Sequence, residues 1–178
     1  GRGYSASNGQ APQLTLTSAP TLTNNLIGGW AIYNGTDFLT YLSSASTTGA
    51  IGAGVMGDTG AGFIGYTTTR TAAGDVSNDA TNNTKASGNF DTNVNGSSSL
   101  NSLNMAVTTA GNSLTFSAFG DTLTLTTGGF LRSGNVTGNL GQALDWGRLT
   151  STTSELFLYN NQNTLTVNAR LTGTGKKV

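Results

Sequence analysis

The 178-residue chain contains no cysteine and no histidine. Without cysteine the protein has no disulfide bonds and no thiolate chemistry. Without histidine it lacks both the commonest general base and the commonest metal ligand. These two absences remove most of the usual means of catalysis and metal binding. The absence of cysteine also fits bacterial exported proteins that do without disulfides.

Charged residues are scarce as well. They make up 9% of the chain and sum to a net charge of zero, against about 25% charged residues in typical domains. No basic surface is therefore available to attract nucleic acid or an anionic membrane. No apolar stretch approaches the roughly 20 residues of a membrane span. The sequence predicts neither nucleic-acid binding nor membrane insertion.

Small polar residues and glycine dominate what remains. Thr, Ser, Asn and Gly together supply more than half of the chain, and hydrophobic residues supply 35%. That hydrophobic content is too high and too regularly spaced for a disordered chain. From Leu14 onward apolar residues alternate with Thr, which is the pattern of a β-strand. No segment has helical spacing or helix-capping signals, so the sequence predicts an all-β protein.

The strand pattern is most regular after Leu100. Short alternating segments follow one another there, and each is closed by Gly, Asn, Asp or Ser: LNMAV (103–107), SLTFSAF (113–119), TLTLTT (122–127), GFLRSG (129–134), GRLTST (147–152), ELFLYN (155–160) and TLTVNA (164–169). The alternation predicts an inward-facing set of side chains, namely Leu114, Phe116, Leu123, Leu125, Phe130, Leu156, Leu158, Leu165 and Val167.

Two architectures accommodate these strands, a parallel β-helix (β-solenoid) and a β-sandwich. A sandwich has strands every 8–12 residues with apolar side chains facing inward, and this chain can be threaded that way. Three features favour the solenoid: short and evenly punctuated strands, very few charges, and recurrent Asn and Thr at strand ends, where identical polar side chains stack. At roughly 20–25 residues per turn the chain would make about seven to nine rungs, with a rung defined as one turn of the solenoid.

The chain divides into an arm and one domain. Residues 1–13 are glycine- and serine-rich without a period and predict a flexible N-terminal arm. Residues 14–178 predict a single β-solenoid domain, with a loose excursion at 74–99, where apolar residues are fewest. Within it, Asn34-Gly35 predicts either a type I′ hairpin or a corner of the solenoid, because both residues tolerate positive φ.

Several segments resemble the β-strand repeats of autotransporter-associated proteins, of the kind found in long Planctomycetes and Verrucomicrobia proteins. These segments are Leu123–Gly134, Glu155–Asn160, Thr164–Ala169 with Leu171–Gly175, and Gly28–Thr40. These segments share one order of elements: a strand, a Gly-Gly step, a second strand, an acidic residue at the start of a third strand, and a final strand. The resemblance covers most of residues 14–175 and is weakest over 74–99. It implies a right-handed parallel β-helix, export from the cell and no cofactor.

The acidic residues do not form a convincing catalytic or metal-binding set. They are Asp37, Asp58, Asp75, Asp79, Asp91, Asp121, Asp145 and Glu155. A glycosidase needs two carboxyl groups at a fixed separation, and only Asp75 and Asp79 are close in sequence. With Asn78 and Asn82 they are weak candidates for a calcium site, although a solvated polar loop explains them better. We therefore expect no enzymatic activity, no cofactor and no metal.

Two further sets of residues are candidates for contacts with partners. Trp30, Tyr33, Tyr41 and Trp146 carry aromatic rings on which a carbohydrate or a partner could stack, although Trp30 and Phe38 are better explained as core or end-plugging residues. Tyr4, Leu14, Leu16, Leu165 and Val167 are candidates for assembly contacts. The first three lie in the N-terminal arm or directly after it, and this segment is long enough to add a strand to a neighbouring copy. The last two lie on the final strand, whose edge pairs with another chain unless it is blunted.

These observations leave three functional hypotheses. The first is an extracellular structural protein of the bacterial cell surface, which self-associates into a fibre, stalk or matrix. The second is a passenger domain or adhesin that displays a carbohydrate- or surface-binding face. The third is a polysaccharide-active β-helix enzyme. The expected partners are therefore further copies of the chain and a polysaccharide.

Overall fold

The fold was examined in a computed structural model, which describes residues 16, 18–42, 50–53, 66–89, 91–175 and 177–178. Every regular element in these ranges is a β-strand, and none is a helix. The strands are β1 (Ile32–Tyr33), β2 (Asp37–Leu42), β3 (Ala50–Ala53), β4 (Thr68–Arg70), β5 (Gly74–Asp75), β6 (Asp79–Gly88), β7 (Thr92–Val94), β8 (Ser98–Val107), β9 (Ser113–Phe116), β10 (Thr122–Arg132), β11 (Gly138–Leu140), β12 (Arg148–Ser151), β13 (Phe157–Asn160), β14 (Leu165–Val167) and β15 (Arg170–Leu171).

Strands β4 to β15 form a parallel β-solenoid. One sheet has the order β15-β12-β10-β8-β6-β4, with β13 also paired to β10, and a second has the order β14-β11-β9-β7-β5. Every pairing within these two sheets is parallel. The prediction of an all-β solenoid is confirmed, and the alternative of a β-sandwich is not found.

The number of rungs was predicted wrongly. The solenoid has about four turns, not seven to nine. Rung length is not the reason, because it varies around the predicted value, from 16 residues between Thr68 and Thr84 to 28 residues between Phe130 and Leu158. The reason is that β1, β2 and β3 form a separate antiparallel sheet and do not contribute rungs as the single-domain prediction required.

The longest strands change direction partway along their length. The register between β10 and β8 shifts between Leu125 and Gly129. Before the shift Leu123 and Leu125 are buried in the core, and after it Phe130 is, so the inward-facing positions change from odd to even numbers. Gly128 lies inside this irregularity with a φ of 73°, a conformation that glycine adopts without strain. The segments TLTLTT and GFLRSG, predicted as two strands, are therefore one strand with a corner.

The core of the solenoid matches most of the predicted inward set. Leu114, Leu123 and Leu125 are fully buried, as are the other predicted residues Phe116, Phe130 and Leu156. Leu158 and Leu165 are partly buried against this core. Val167 lies on the same face of β14 as Leu165 and in register with the buried Leu140, in agreement with the inward prediction. It is nevertheless 41% exposed, because β14 is the last described strand of its sheet.

Residues 74–99 do not form the predicted excursion. They contain β5, β6, β7 and the start of β8, which are rungs of the solenoid. The prediction failed because these strands bury polar side chains instead of large apolar ones. Asn83, Thr84 and Thr92 have no exposed surface, and of the residues described in this stretch only Val76, Ala86 and Val94 supply buried apolar groups. Hydrophobic patterning does not detect a strand of this kind.

Strands β1 and β2 form a hairpin, as one of the two interpretations of Asn34-Gly35 predicted. Strands β1 and β2 are antiparallel, and Thr36 N donates to Tyr33 O at 3.0 Å across the turn. Asn34 and Gly35 have φ angles of 52° and 76°, as the two central residues of a type I′ turn require.

This hairpin packs on the outer face of the larger solenoid sheet. Leu26, Phe38, Tyr66 and Leu131 form a second buried apolar cluster between the two layers. Gly29 and Gly129 meet backbone to backbone, since a Cβ placed on Gly129 would lie 2.6 Å from the Cα of Gly29. Close approach of this kind requires glycine in both segments of the chain.

Polar contacts hold the same two layers together. The Asn83 amide donates to Asn24 O, and the Asn101 amide donates to Thr23 O and to Asn83 Oδ1. Lys85 Nζ lies 2.6 Å from Asp37 Oδ1. Buried polar groups need such partners because leaving them unpaired costs about 1–3 kcal/mol each. The polar residues of β6 and β8 are therefore buried because they bond to the segment that contains Thr23, Asn24 and Asp37.

Candidate functional site

The C-terminal end of the solenoid presents strands that pair on one side only among the described residues. β13 pairs with β10, β14 with β11 and β15 with β12. Neither β13 (FLYN) nor β14 (LTV) contains a charged residue or a proline, the usual means by which proteins prevent edge pairing. Lys177 makes backbone hydrogen bonds with Leu156 and Ser154 next to β13, ahead of the strand itself.

Apolar side chains are partly uncovered at this end. Val167 is 41% and Tyr159 is 42% exposed, while Leu165 and Leu158 are half-buried. The structure thus places the predicted assembly residues Leu165 and Val167 together on β14. Leu16 is 37% exposed. Tyr4 and Leu14, the other two predicted assembly residues, lie outside the described residues.

The N-terminal rung contains the two weak metal candidates. Both oxygens of the Asp75 carboxylate accept hydrogen bonds, from Asn93 at 2.7 Å and Asn95 at 2.9 Å. These bonds hold the pKa of Asp75 below its usual range. Asp79 accepts from the backbone and hydroxyl of Thr81, which lowers its pKa in the same way. The described residues contain no group of three metal-ligating side chains.

The other described aspartates also have structural partners. Asp121 accepts from Ala118 N at 2.8 Å and from Gly96 N at 3.1 Å, so it closes a turn, as its place before a strand predicts. Asp145 pairs with Arg170 at 3.1 Å. Each of these aspartates is therefore engaged by hydrogen bonds or an ion pair within the protein.

One arginine is buried inside the solenoid. Arg132 is 1% exposed and donates to the carbonyl oxygens of Met105 and Val136. Burial lowers its pKa. A Cβ on Gly138 would lie 3.0 Å from the guanidinium, so the small neighbour makes room for it. The guanidinium closes a rung by bonding to backbone carbonyls and does not face an opening.

A groove with an aromatic centre lies where the hairpin meets β13. Two cavities flank the ring of Trp30, with volumes of about 280 Å³ and 200 Å³, and both are bordered by Trp30 and Phe157. The Trp30 groove is the surface formed by Trp30, Thr126, Thr153, Glu155, Phe157 and Tyr159. Among the described residues, the Glu155 carboxylate has no hydrogen bond or ion pair.

The structure separates the predicted aromatic candidates. Trp30 is 63% exposed, so its interpretation as a core residue is wrong. Phe38 is fully buried, between the hairpin and the sheet. Tyr33 and Tyr41 are half-buried and do not border either cavity. Trp146 donates its indole N–H to Phe116 O at 2.8 Å and packs on the core.

Sequence reasoning missed the partners of Trp30 in the groove. The alternation in ELFLYN places Leu156 and Leu158 inward, which leaves Phe157 and Tyr159 on the outer face. That signal was available in the sequence. Their proximity to Trp30 was not, because it depends on a contact between chain segments about 100 residues apart, at Gly29 and Gly129.

Comparisons with family models, with curated proteins and with solved structures find no match to this chain. The resemblance to autotransporter-associated β-strand repeats therefore stays a prediction. Within the described residues there is no helix with the length and hydrophobicity needed to cross a membrane.

Proposed function

We propose that this chain is an extracellular structural protein of the bacterial surface, whose solenoids stack end to end into a fibre, stalk or matrix. The observation that carries the proposal is the C-terminal end, where β13 and β14 each present an unpaired edge without charge or proline among the described strands. Such an edge is a template for pairing with another chain.

The strand columns support head-to-tail stacking. β4 and β13 are the first and last described strands along one column, and β5 and β14 along the other. A second copy placed on the C-terminal end would set its β4 beside β13 and its β5 beside β14. Both parallel ladders would continue across the junction, which supplies main-chain hydrogen bonds. A contact of this type does not close on itself, so it produces filaments.

The composition favours the same arrangement. The net charge is zero and charged residues are few, so repulsion between copies is weak. At the exposed end, the apolar groups of Leu165 and Val167 would be removed from water by stacking, with a gain of about 25 cal/mol for each Å² buried. Catalysis is not part of the proposal, since the described aspartates bond to their own backbone and side-chain neighbours.

The test compares two lysine substitutions of exposed apolar residues. Val167→Lys puts a charge on the stacking end, whereas Leu144→Lys puts the same charge on a loop between β11 and β12, where Leu144 is 82% exposed. Light scattering and electron microscopy of the purified proteins over a concentration series measure assembly, and circular dichroism checks that both variants fold.

We expect the parent and Leu144→Lys to form elongated assemblies and Val167→Lys to remain largely monomeric, because a desolvated lysine opposes edge pairing. A parent protein that stays monomeric at high concentration would refute end-to-end stacking. The displayed-domain hypothesis would then replace the structural one. Equal assembly of the two variants would show instead that the contact between copies does not involve Val167.

A further inference from the structure

The Trp30 ring is fixed in an exposed position by its own backbone. Gly28 and Ala31 close a turn, with Ala31 N donating to Gly28 O at 3.2 Å. A Cβ on Gly28 would lie 2.6 Å from the indole Nε1 of Trp30, so the ring lies over Gly28. Gly29, in the same turn, contacts Gly129 on the solenoid. The backbone that carries the ring is therefore anchored to the solenoid, and the ring itself is 63% exposed.

The exposed ring keeps an apolar surface that a ligand could cover. Fully burying a large apolar side chain contributes about 1.5–3 kcal/mol, and the fold instead holds Trp30 outward beside Phe157 and Tyr159. The aromatic rings present flat apolar faces, which pack on other flat apolar surfaces. The C–H face of a pyranose ring is such a surface.

The polar side chains that border the groove include one carboxylate. The Thr126 hydroxyl donates to Ala80 O at 3.0 Å and the Thr153 hydroxyl donates to Glu155 O at 2.7 Å, so both hydroxyl protons are bonded within the protein. A carboxylate such as that of Glu155 accepts hydrogen bonds and donates none. No lysine or arginine is among the described residues that border the two cavities. The backbone of Lys177 pairs beside Glu155, but among the described residues these two side chains form no ion pair.

These observations define the ligand. We infer that the Trp30 groove binds a neutral oligosaccharide, with a sugar ring on the Trp30 indole and sugar hydroxyls donating to Glu155. The carboxylate accepts from sugar hydroxyls and repels uronic acids and phosphates. Two cavities adjoin the ring, so we expect the groove to take more than one sugar unit.

Sugar binding in the Trp30 groove does not require end-to-end assembly, so binding and assembly are measured separately. Binding is measured on the Val167→Lys variant, which lacks the proposed stacking contact, and on the parent. The probes are cellohexaose, maltohexaose and mannohexaose as neutral oligomers, glucose as a single unit, and an oligogalacturonate as an acidic oligomer. Isothermal titration and tryptophan emission give the affinities.

Three substitutions locate the site. Trp30→Ala removes the stacking face, and Glu155→Gln keeps the shape of the side chain without its charge. Phe119→Ala removes another exposed ring, 51% exposed and packed edge-on against Trp146, and serves as the matched control. We expect at least one neutral hexamer to bind both proteins. Trp30→Ala should weaken it about tenfold or more and Glu155→Gln about threefold to tenfold, with Phe119→Ala unchanged.

The length and charge of the sugar give a second set of outcomes. We expect glucose to bind more weakly than the hexamer and the oligogalacturonate to bind least. The inference is overturned if no neutral hexamer binds at about 10 mM, a concentration at which even millimolar affinities are detected. It is also overturned if Trp30→Ala and Phe119→Ala bind alike, or if the acidic oligomer binds best. A monomeric parent that binds the neutral hexamer would refute assembly and leave this inference intact.

Discussion

Gly129 is the position at which the hairpin and the solenoid can be separated by a single methyl group. Its φ lies outside the left-handed region, so alanine is compatible with the backbone there. The added Cβ would lie 2.6 Å from the Cα of Gly29 and 2.9 Å from the ring of Phe38. Carbon atoms in contact need about 3.5–4.0 Å. The two layers must therefore move apart by about 1 Å in the Gly129→Ala variant.

The added methyl group has two opposing effects on the free energy of unfolding. Overpacking a close contact costs about 1–3 kcal/mol, and here the neighbour that must give is the backbone of Gly29. Replacing glycine by alanine also stabilises by about 0.4–1 kcal/mol through the unfolded chain where the native conformation is compatible. Gly120→Ala isolates that second effect, because a Cβ on Gly120 would meet nothing within 4 Å.

Chemical denaturation and hydrogen exchange measure the two consequences. We expect Gly129→Ala to lower the free energy of unfolding by about 1–3 kcal/mol and Gly120→Ala to leave it unchanged or raise it slightly. Amides of the hairpin, such as that of Leu39, should exchange faster in Gly129→Ala, while those of β8 should not. If the two variants have the same stability and the same hairpin protection, the Gly29–Gly129 contact does not exist in solution.

Two further predictions concern buried residues. Leu125 is fully buried in the solenoid core, so Leu125→Ala should lower the free energy of unfolding by about 2–5 kcal/mol and Leu125→Asp should abolish the circular dichroism of the fold; an unchanged melting temperature in either would contradict the inward assignment. Burial raises the pKa of Tyr66 above its ordinary value, so the folded protein keeps the phenol neutral while the unfolded chain ionises, and stability that is constant below about pH 10 should fall as the pH rises further. At pH 8 the Tyr66→Phe variant should have a free energy of unfolding about 1–3 kcal/mol lower than the parent, because it loses the hydrogen bonds to Asn104 and Phe38. Between pH 10 and 12, urea titrations should show a smaller decrease in this free energy for the variant than for the parent. An equally steep decrease in both proteins would refute the assignment.

The solenoid strands that sequence analysis identified correctly share one property. In β9, β10 and β12 large apolar residues alternate with Thr or Ser, as at Leu114 and Phe116 or Leu123 and Leu125. Their inward faces are buried and their outward faces are polar, which is the condition under which a period of two is visible. The same alternation also revealed the inward phase of Leu156.

Strand β6, which was missed, and the polar part of β8 contact protein on both faces. On these two strands Asn83, Asn101 and Asn104 are covered by residues 23–36 and have no exposed surface. Their burial follows from hydrogen bonds to residues 23–36, which are 59 to 78 positions away. No local pattern encodes such a partner, so the polar stretch resembled a solvated loop. The exposure of Trp30 escaped prediction for a related reason, since it depends on where the hairpin docks.

The outer face of the solenoid shows how covered and uncovered surface are divided. Lys85, Asn104, Leu131 and Tyr159 form one row across neighbouring strands. The hairpin covers the first three: Lys85 pairs with Asp37, Asn104 donates to the carbonyl of Thr36, and Leu131 lies in the apolar cluster with Phe38. Tyr159 ends the row at 42% exposure.

The hairpin therefore does not cover β13, and both the proposed stacking and the proposed sugar binding use the uncovered surface of this strand. The outward side chains of β13, Phe157 and Tyr159, form one wall of the Trp30 groove, while the backbone edge of the same strand is free for stacking among the described strands. Side chains of a strand stand perpendicular to its hydrogen-bonding edge, so the two uses draw on different directions of one strand. A stacked neighbour would extend the column beyond β13 without occupying the outer face on which the sugar would lie. Under this geometry a filament of these chains would carry one groove for each copy along its side.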